Sequence, residues 1–211
     1  MDVNKLWYSN DENEWKCALT NYMGTIRRFK QKQIEKEFQT LKSDDVRKMS
    51  PQEFYVFLRD KYFVWKYTSY LSKQLERLSR HNNATGLTAL GRIHKKLFTE
   101  LDNGQDNISR LIEIASQIHG LGSAGASGLI SVMFPEKFGT IDQYAVKALQ
   151  RVDNLPEHEK LMQMNPPSLT AEDGVILINI YRRKAAELNA KFGTDFWSPR
   201  LIDQILWCIG R

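Results

Sequence analysis

The chain has 211 residues, of which 42% are hydrophobic and 26% charged. These values are ordinary for a globular protein, and the length suffices for one large domain or two small ones. No apolar stretch is long enough to span a membrane, and the start "MDVNKLWYSN" has no basic segment leading into an apolar run, so we expect neither membrane association nor a secretory signal. The two cysteines and four histidines are scattered along the sequence and do not have the spacing of metal ligands. We therefore expect a cytoplasmic protein without a metal or a cofactor.

The charge is basic and uneven along the chain. The formal net charge is +5, the pI is about 9.1, and residues 1–100 hold 19 Lys and Arg against 12 Asp and Glu. A basic bias suits a polyanion such as a nucleic acid. A solvated helical surface explains the same charge equally well.

Apolar residues recur at helical spacing in almost every segment, and no long stretch alternates with period two. Ser50, Pro51 and Glu53 form one helix-start signal, and Ser198 with Pro199 forms another. The sequence therefore predicts an all-α fold. The predicted helices cover residues 12–38 with a break near Gly24, 49–63, 65–80, 87–101, 107–118, 123–134, 140–152, 171–192 and 198–211, with a turn at 102–107.

The segment "IHGLGSAGASGLISVMFPEKFGTIDQY", residues 118–144, combines a short glycine turn, small residues and an aspartate. A tight turn between helices needs a left-handed backbone position, which glycine adopts without steric cost. The helix that follows presents its first N–H groups outward, and these groups favour an anion. A turn of this kind can hold a phosphate without a charged side chain.

This segment resembles the helix-hairpin-helix of the DNA base-excision glycosylases, the superfamily of endonuclease III and the adenine and 8-oxoguanine glycosylases. The resemblance covers about residues 108–152 and rests on "IHGLG", "SAGASGLISVMF" and "GTIDQYAVKAL". It implies an all-α, two-lobed glycosylase-like fold. Residues 31–140 would form a helical barrel lobe ending in the hairpin, and residues 1–30 with 141–211 would form the other lobe.

The resemblance also implies a function in DNA repair. A monomer would bind double-stranded DNA and hydrolyse the N-glycosidic bond of a damaged or mispaired base, with Asp142 as the catalytic carboxylate. Ala124 stands where bifunctional members carry a Schiff-base lysine, so the resemblance implies a monofunctional enzyme. The four-cysteine cluster of the endonuclease III branch is absent. The hairpin residues that would contact DNA are His119, Gly120, Leu121, Gly122 and Ala124.

Two other interpretations of these residues remain open. Asp142 can be a helix-start residue without catalytic function, because Thr140 and Gln143 can form a capping box and an acidic first turn suits the helix dipole. The chain would then be a non-catalytic helix-hairpin-helix DNA-binding module. Alternatively, the hairpin is only a turn, and the chain is a helical interaction protein.

The aromatic stretch "YFVWKYTSY", residues 62–70, is a second candidate site. Trp65 and Tyr67 could stack on a base, and Lys66 could reach phosphate or sugar or supply a displaced amine. Aromatic residues at helical spacing more often belong to a core, and we favour that interpretation. For the last helix we expect Arg200 and Asp203 to pair on the protein surface.

Overall fold

The computed structural model describes residues 1–104 and 107–211, so part of the turn predicted at 102–107 lies outside the described residues. Throughout these two ranges the secondary structure is helical and contains no strand. The all-α prediction is therefore confirmed. No helix in either range combines the length and apolar character needed to cross a membrane.

The α-helices are numbered here in chain order. They are α1 (Val3–Trp7), α2 (Glu12–Thr25), α3 (Phe29–Phe38), α4 (Ser43–Arg47), α5 (Pro51–Phe57), α6 (Phe63–Lys66), α7 (Leu71–Leu78), α8 (Ala84–Asp102), α9 (Ile108–Ser116), α10 (Ser123–Met133), α11 (Gln143–Leu149), α12 (His158–Gln163), α13 (Ala171–Phe192) and α14 (Pro199–Gly210). A π-helical turn, Leu58–Tyr62, joins α5 to α6.

Both predicted helix starts are confirmed. The Ser50 hydroxyl accepts a hydrogen bond from the Glu53 N–H, and the Glu53 carboxylate accepts one from the Ser50 N–H. At the start of α14, the Ser198 hydroxyl accepts from the Leu201 N–H. These bonds satisfy backbone donors that have no partner within a helix, which is why such short signals predict where a helix begins.

The predicted helix over residues 65–80 is interrupted. Lys66 ends α6, Tyr67 has an extended backbone with φ −109° and ψ 133°, and Leu71 begins α7. The residues between the two helices, Tyr67–Tyr70, form a connecting segment whose position matters for the candidate site.

The chain divides into two compact units, one formed by residues 1–27 and 134–211 and the other by residues 28–133. In the first unit, α14 packs against α2, α11 and α13. The Trp15 ring lies 6.3 Å from the Trp7 ring and 6.1 Å from the Trp197 ring. The ammonium of the buried Lys184 lies 4.5 Å from the Trp7 ring, which gives this charge a cation–π partner.

The second unit, residues 28–133, contains α3 to α10. Helix α5 packs against α8, and α9 packs against α10. In its core the ring of Phe54 stacks on that of His94, with centroids 4.3 Å apart, and Phe38 lies 6.0 Å from Phe57. The hairpin between α9 and α10 belongs to this unit, whereas Asp142 belongs to the first.

Candidate nucleic-acid interface

The turn between α9 and α10 has an apolar inner side and an open outer side. Ile118 and Leu121 are buried, whereas Gly122 and Ala124 are exposed. The two apolar side chains anchor the turn in the unit. The exposed residues leave the start of α10 accessible to a ligand.

Gly120 is the position that requires glycine. Its φ is +96°, in the region that other residues adopt only with strain. A Cβ there would lie 2.9 Å from Cε1 of Phe63 and 3.0 Å from the Gln74 carbonyl oxygen. The predicted left-handed position is confirmed here, and close packing adds a second constraint.

Gly122 differs from Gly120 in both respects. Its φ is outside the left-handed region, and a Cβ on it would meet no atom of residues 1–104 or 107–211 within 4 Å, apart from its two chain neighbours. The chain itself therefore has no need for glycine at this position. A small residue here leaves room for another molecule to approach the backbone at the start of α10, whose first turn carries no acidic residue.

The aromatic stretch supports the hairpin directly. The Tyr67 hydroxyl donates to the Gly120 carbonyl oxygen at 2.9 Å, and the Tyr62 hydroxyl donates to the Gly125 carbonyl oxygen. A Cβ on Gly125 would lie 2.6 Å from the Tyr67 hydroxyl, and one on Gly128 would lie 2.7 Å from the Tyr62 hydroxyl. The small residues of α10 therefore make room for tyrosine hydroxyls.

Trp65, Lys66 and Tyr67, the three candidate pocket residues, each contact other residues of the same unit. The Trp65 indole N–H donates to Glu35 Oε2 at 2.6 Å, and its ring lies 5.6 Å from that of Phe38. Burial raises the pKa of the Tyr67 hydroxyl to about 12, so it remains a neutral donor to the hairpin. The Lys66 ammonium lies 6.0 Å from the Trp65 ring and 3.4 Å from where a Cβ on Gly128 would be.

Glu35 is a feature that sequence reasoning missed. Its carboxylate is fully buried and accepts the Trp65 indole hydrogen bond. A carboxylate is rarely buried without hydrogen-bond donors. The sequence pattern that indicates its burial is its position three residues before Phe38, which places both side chains on the buried face of α3.

A histidine pair also supports the hairpin and was not anticipated. The His119 backbone N–H donates to His81 Nε2 at 3.1 Å, and the two imidazole rings stack with centroids 4.5 Å apart. His81 Nδ1 lies 3.2 Å from the Gly86 carbonyl oxygen. Because Nε2 accepts a hydrogen bond, Nδ1 carries the proton and donates to Gly86. Neutral His81 thus joins the start of α8 to the hairpin.

We expect acid to destabilise the protein through His81. Burial lowers the pKa of this imidazole below its ordinary value of 6.5. The unfolded chain therefore takes up a proton before the folded chain does, and stability is lost as the pH falls below about 6.5. The melting temperature should fall between pH 7.5 and 5.5, and His81→Gln should reduce this difference. An equal difference in the variant would exclude His81 as a source of the acid sensitivity.

Asp142 lies at the start of α11 in the unit of residues 1–27 and 134–211. It is the N-cap, with an extended backbone, and its Oδ1 accepts a hydrogen bond from the Tyr144 N–H at 2.8 Å. The carboxylate is partly exposed. The capping box with Thr140 as its first member is therefore wrong. Thr140 is instead buried, and its N–H donates to Asp203 Oδ2 at 2.9 Å.

Tyr181 connects the surroundings of Asp142 with those of Asp203. Its ring is fully buried, and its hydroxyl donates to the Thr140 carbonyl oxygen at 3.3 Å. Burial raises the pKa of this hydroxyl well above 10, and the negative charges of Asp203 and Asp142 act in the same direction. Tyr181 is therefore a neutral hydrogen-bond donor within electrostatic range of Asp142.

The prediction that Arg200 and Asp203 lie on the protein surface is wrong. Arg200 and Asp203 are only 4% and 5% exposed. Helix α14 packs against α2, α11 and α13, so little of its circumference remains for a solvated face. Asp203 accepts the Thr140 N–H and so helps to hold the loop that leads to Asp142.

Comparison with known proteins identifies no relative. No protein-family model matches the chain, and no curated protein or solved structure is significantly similar to it. The resemblance over residues 108–152 therefore has no independent support, and its implications for fold family and activity are hypotheses for experiment.

Proposed function

We propose that this chain is a DNA-binding protein that uses the α9–α10 hairpin as its phosphate anchor and acts as a monofunctional DNA glycosylase. The proposal assigns binding to the unit of residues 28–133. It assigns the chemistry, hydrolysis of the N-glycosidic bond of a damaged or mispaired base, to Asp142 in the other unit.

The geometry of the hairpin is the observation that carries the proposal. Gly120 takes the left-handed conformation that the tight turn requires, and it is fixed by packing. Gly122 is exposed, and among the described residues beyond its two chain neighbours no atom lies within 4 Å of where a Cβ would be. A glycine that the fold does not need, at the open start of a helix, suits close approach of a phosphate to the backbone.

The role of Asp142 rests on its chemistry and its position. A carboxylate can stabilise the positive charge that develops on the sugar as the base departs, or it can orient the attacking water. The Tyr144 N–H fixes one carboxylate oxygen, and the side chain is partly exposed. Such a carboxylate is held in one orientation while remaining accessible, as a base-excision step requires.

The same hydrogen bond favours a second candidate, a non-catalytic DNA-binding module. An N-cap aspartate has a structural reason to be present, since it satisfies a backbone donor of α11. In that case the hairpin binds DNA and the carboxylate only begins a helix. Base release distinguishes the two candidates, because both predict DNA binding.

Binding itself is tested by titration of a fluorescent duplex at several salt concentrations. Phosphate contacts release counterions, so the logarithm of the association constant should fall steeply and linearly with the logarithm of the salt concentration. An undetectable affinity at low salt would exclude both candidate functions. Release of free base in a single turnover, measured on the same duplexes, then tests the chemistry.

We expect the reaction to leave an intact abasic site. A lyase forms a Schiff base through an amine, and the exposed Ala124 offers only a methyl group at the position where the resembling family carries its lysine. Borohydride should therefore trap little or no covalent protein–DNA complex. Efficient trapping that Lys66→Ala abolishes would contradict this prediction and assign the amine to Lys66.

A further inference from the structure

We propose that the start of α3 and the segment Tyr67–Tyr70 form a second nucleic-acid surface, on which Phe29 and Tyr70 stack against unpaired bases. This surface is called the aromatic platform below. The inference extends the proposed DNA binding to a particular class of substrate, DNA with single-stranded or unpaired nucleotides.

The two rings are unusually exposed. Phe29 is 76% exposed and Tyr70 is 70% exposed. A ring in water gains none of the free energy of burial, so it gains stability when a partner covers it. Neither ring contributes to the core of its unit.

Hydrogen bonds join the two chain segments that carry these rings. Arg28 Nη1 donates to the Thr68 carbonyl oxygen at 3.2 Å, and the Gln31 side chain donates to the Trp65 carbonyl oxygen at 3.1 Å. Phe29 follows Arg28 directly, and Tyr70 is two residues after Thr68. The start of α3 is thus held beside Thr68 and the end of α6.

The same segment connects the aromatic platform to the hairpin. The Tyr67 hydroxyl donates to the Gly120 carbonyl oxygen at 2.9 Å. Tyr67 therefore contacts the turn proposed to hold phosphates, and Tyr70 lies three residues further along the chain. A strand anchored at the hairpin can continue onto the platform without leaving the unit of residues 28–133.

The charge around the rings favours a polyanion over other partners. Residues 28–34 and 66–75 contain no acidic residue, while they contain Arg28, Lys30, Lys32, Lys66 and Lys73. Exposed aromatic rings among cations are the combination that binds single-stranded nucleic acids, because every base has a face on which a ring can stack. The start of α3 has no acidic residue in its first turn, so its dipole also favours phosphate.

The test compares three DNA ligands of equal length: a fully paired duplex, a duplex with a three-nucleotide gap, and a single strand. The double variant Phe29→Ala with Tyr70→Ala should bind the gapped duplex and the single strand at least tenfold more weakly than the unmodified protein. Its affinity for the paired duplex should change by less than about threefold, because the hairpin is unaltered. Phe196→Ala, which removes an exposed ring from the other unit, is the matched control and should bind all three ligands normally.

A charge variant provides a second, independent measurement. Lys30→Gln with Lys73→Gln should reduce the salt slope of single-strand binding by about 0.7 for each phosphate contact removed. Circular dichroism checks that both double variants keep their helical content. The proposal is overturned if the ring variant binds the single strand as the unmodified protein does. It is also overturned if the ring variant loses binding to anionic lipid vesicles but not to single-stranded DNA.

Failure of this inference can be distinguished from failure of the proposed function. Loss of single-strand binding in the ring variant supports the platform even if no base is ever released. Normal duplex binding and base release, with no effect of the ring variant on the gapped ligand, supports the proposed function and rejects the platform.

Discussion

Gly122→Val should lower the affinity for duplex DNA about tenfold or more while leaving the melting temperature unchanged. A hydrogen bond from a backbone N–H to a phosphate contributes on the order of 1.5–3 kcal/mol, and a valine side chain would hold the phosphate away from the donor. The structure predicts no internal cost, because Gly122 has an ordinary φ and a Cβ there would meet no atom within 4 Å.

Two further variants make this measurement decisive. Gly24→Val introduces the same side chain at an exposed glycine of α2, again with no atom within 4 Å, and should leave DNA binding intact. Gly120→Val should reduce both affinity and stability, since it conflicts with a φ of +96° and with the Phe63 ring. Wild-type affinity in a folded Gly122→Val protein would exclude the hairpin as the phosphate anchor.

Asp142→Asn should slow base release by on the order of a hundredfold or more while DNA binding and stability are retained. Asparagine is as good an N-cap as aspartate, so its side-chain oxygen can still accept the Tyr144 N–H. The substitution therefore removes the negative charge and keeps the oxygen that accepts this hydrogen bond. This separates the catalytic role of the carboxylate from its structural role.

Asp11→Asn is the matched control for this variant. Asp11 is the N-cap of α2 in the same unit, and its Oδ1 accepts the Asn13 N–H at 2.8 Å, the same distance as the bond at Asp142. We expect Asp11→Asn to release base at the wild-type rate. If Asp142→Asn also does so, the carboxylate only begins a helix and the non-catalytic module is the better account.

Features determined by neighbouring residues were predictable from the sequence. The capping box at Ser50, the start of α14 at Ser198 and the left-handed turn at Gly120 each depend on a few consecutive residues. Such local signals act through backbone donors and dihedral angles, which a short pattern specifies.

Contacts between distant parts of the chain were not predictable. Nothing in the sequence shows that Tyr67 bonds to Gly120 or that His81 bonds to the His119 N–H. Each of these contacts joins segments more than thirty residues apart, and a single hydrogen bond leaves no periodic pattern. Sequence reasoning noted the hairpin and the aromatic stretch separately, and only the structure shows that one supports the other.

The errors at Arg200, Asp203 and Thr140 have a common physical cause. Helical periodicity predicts a polar outer face, but α14 is enclosed by α2, α11 and α13, which buries polar residues as well. Asp203 takes the Thr140 N–H, so Thr140 cannot be the cap that the local pattern indicated. The cap is formed instead by Asp142.

The most direct test of the proposed activity is incubation of the protein with a panel of duplexes that each contain one damaged or mispaired base, followed by alkali. Alkali breaks the strand at an abasic site, so cleavage at the lesion reports loss of the base. We expect cleavage of at least one duplex after alkali, none without it, and none with Asp142→Asn. Binding to every duplex without alkali-dependent cleavage of any would contradict the glycosylase assignment.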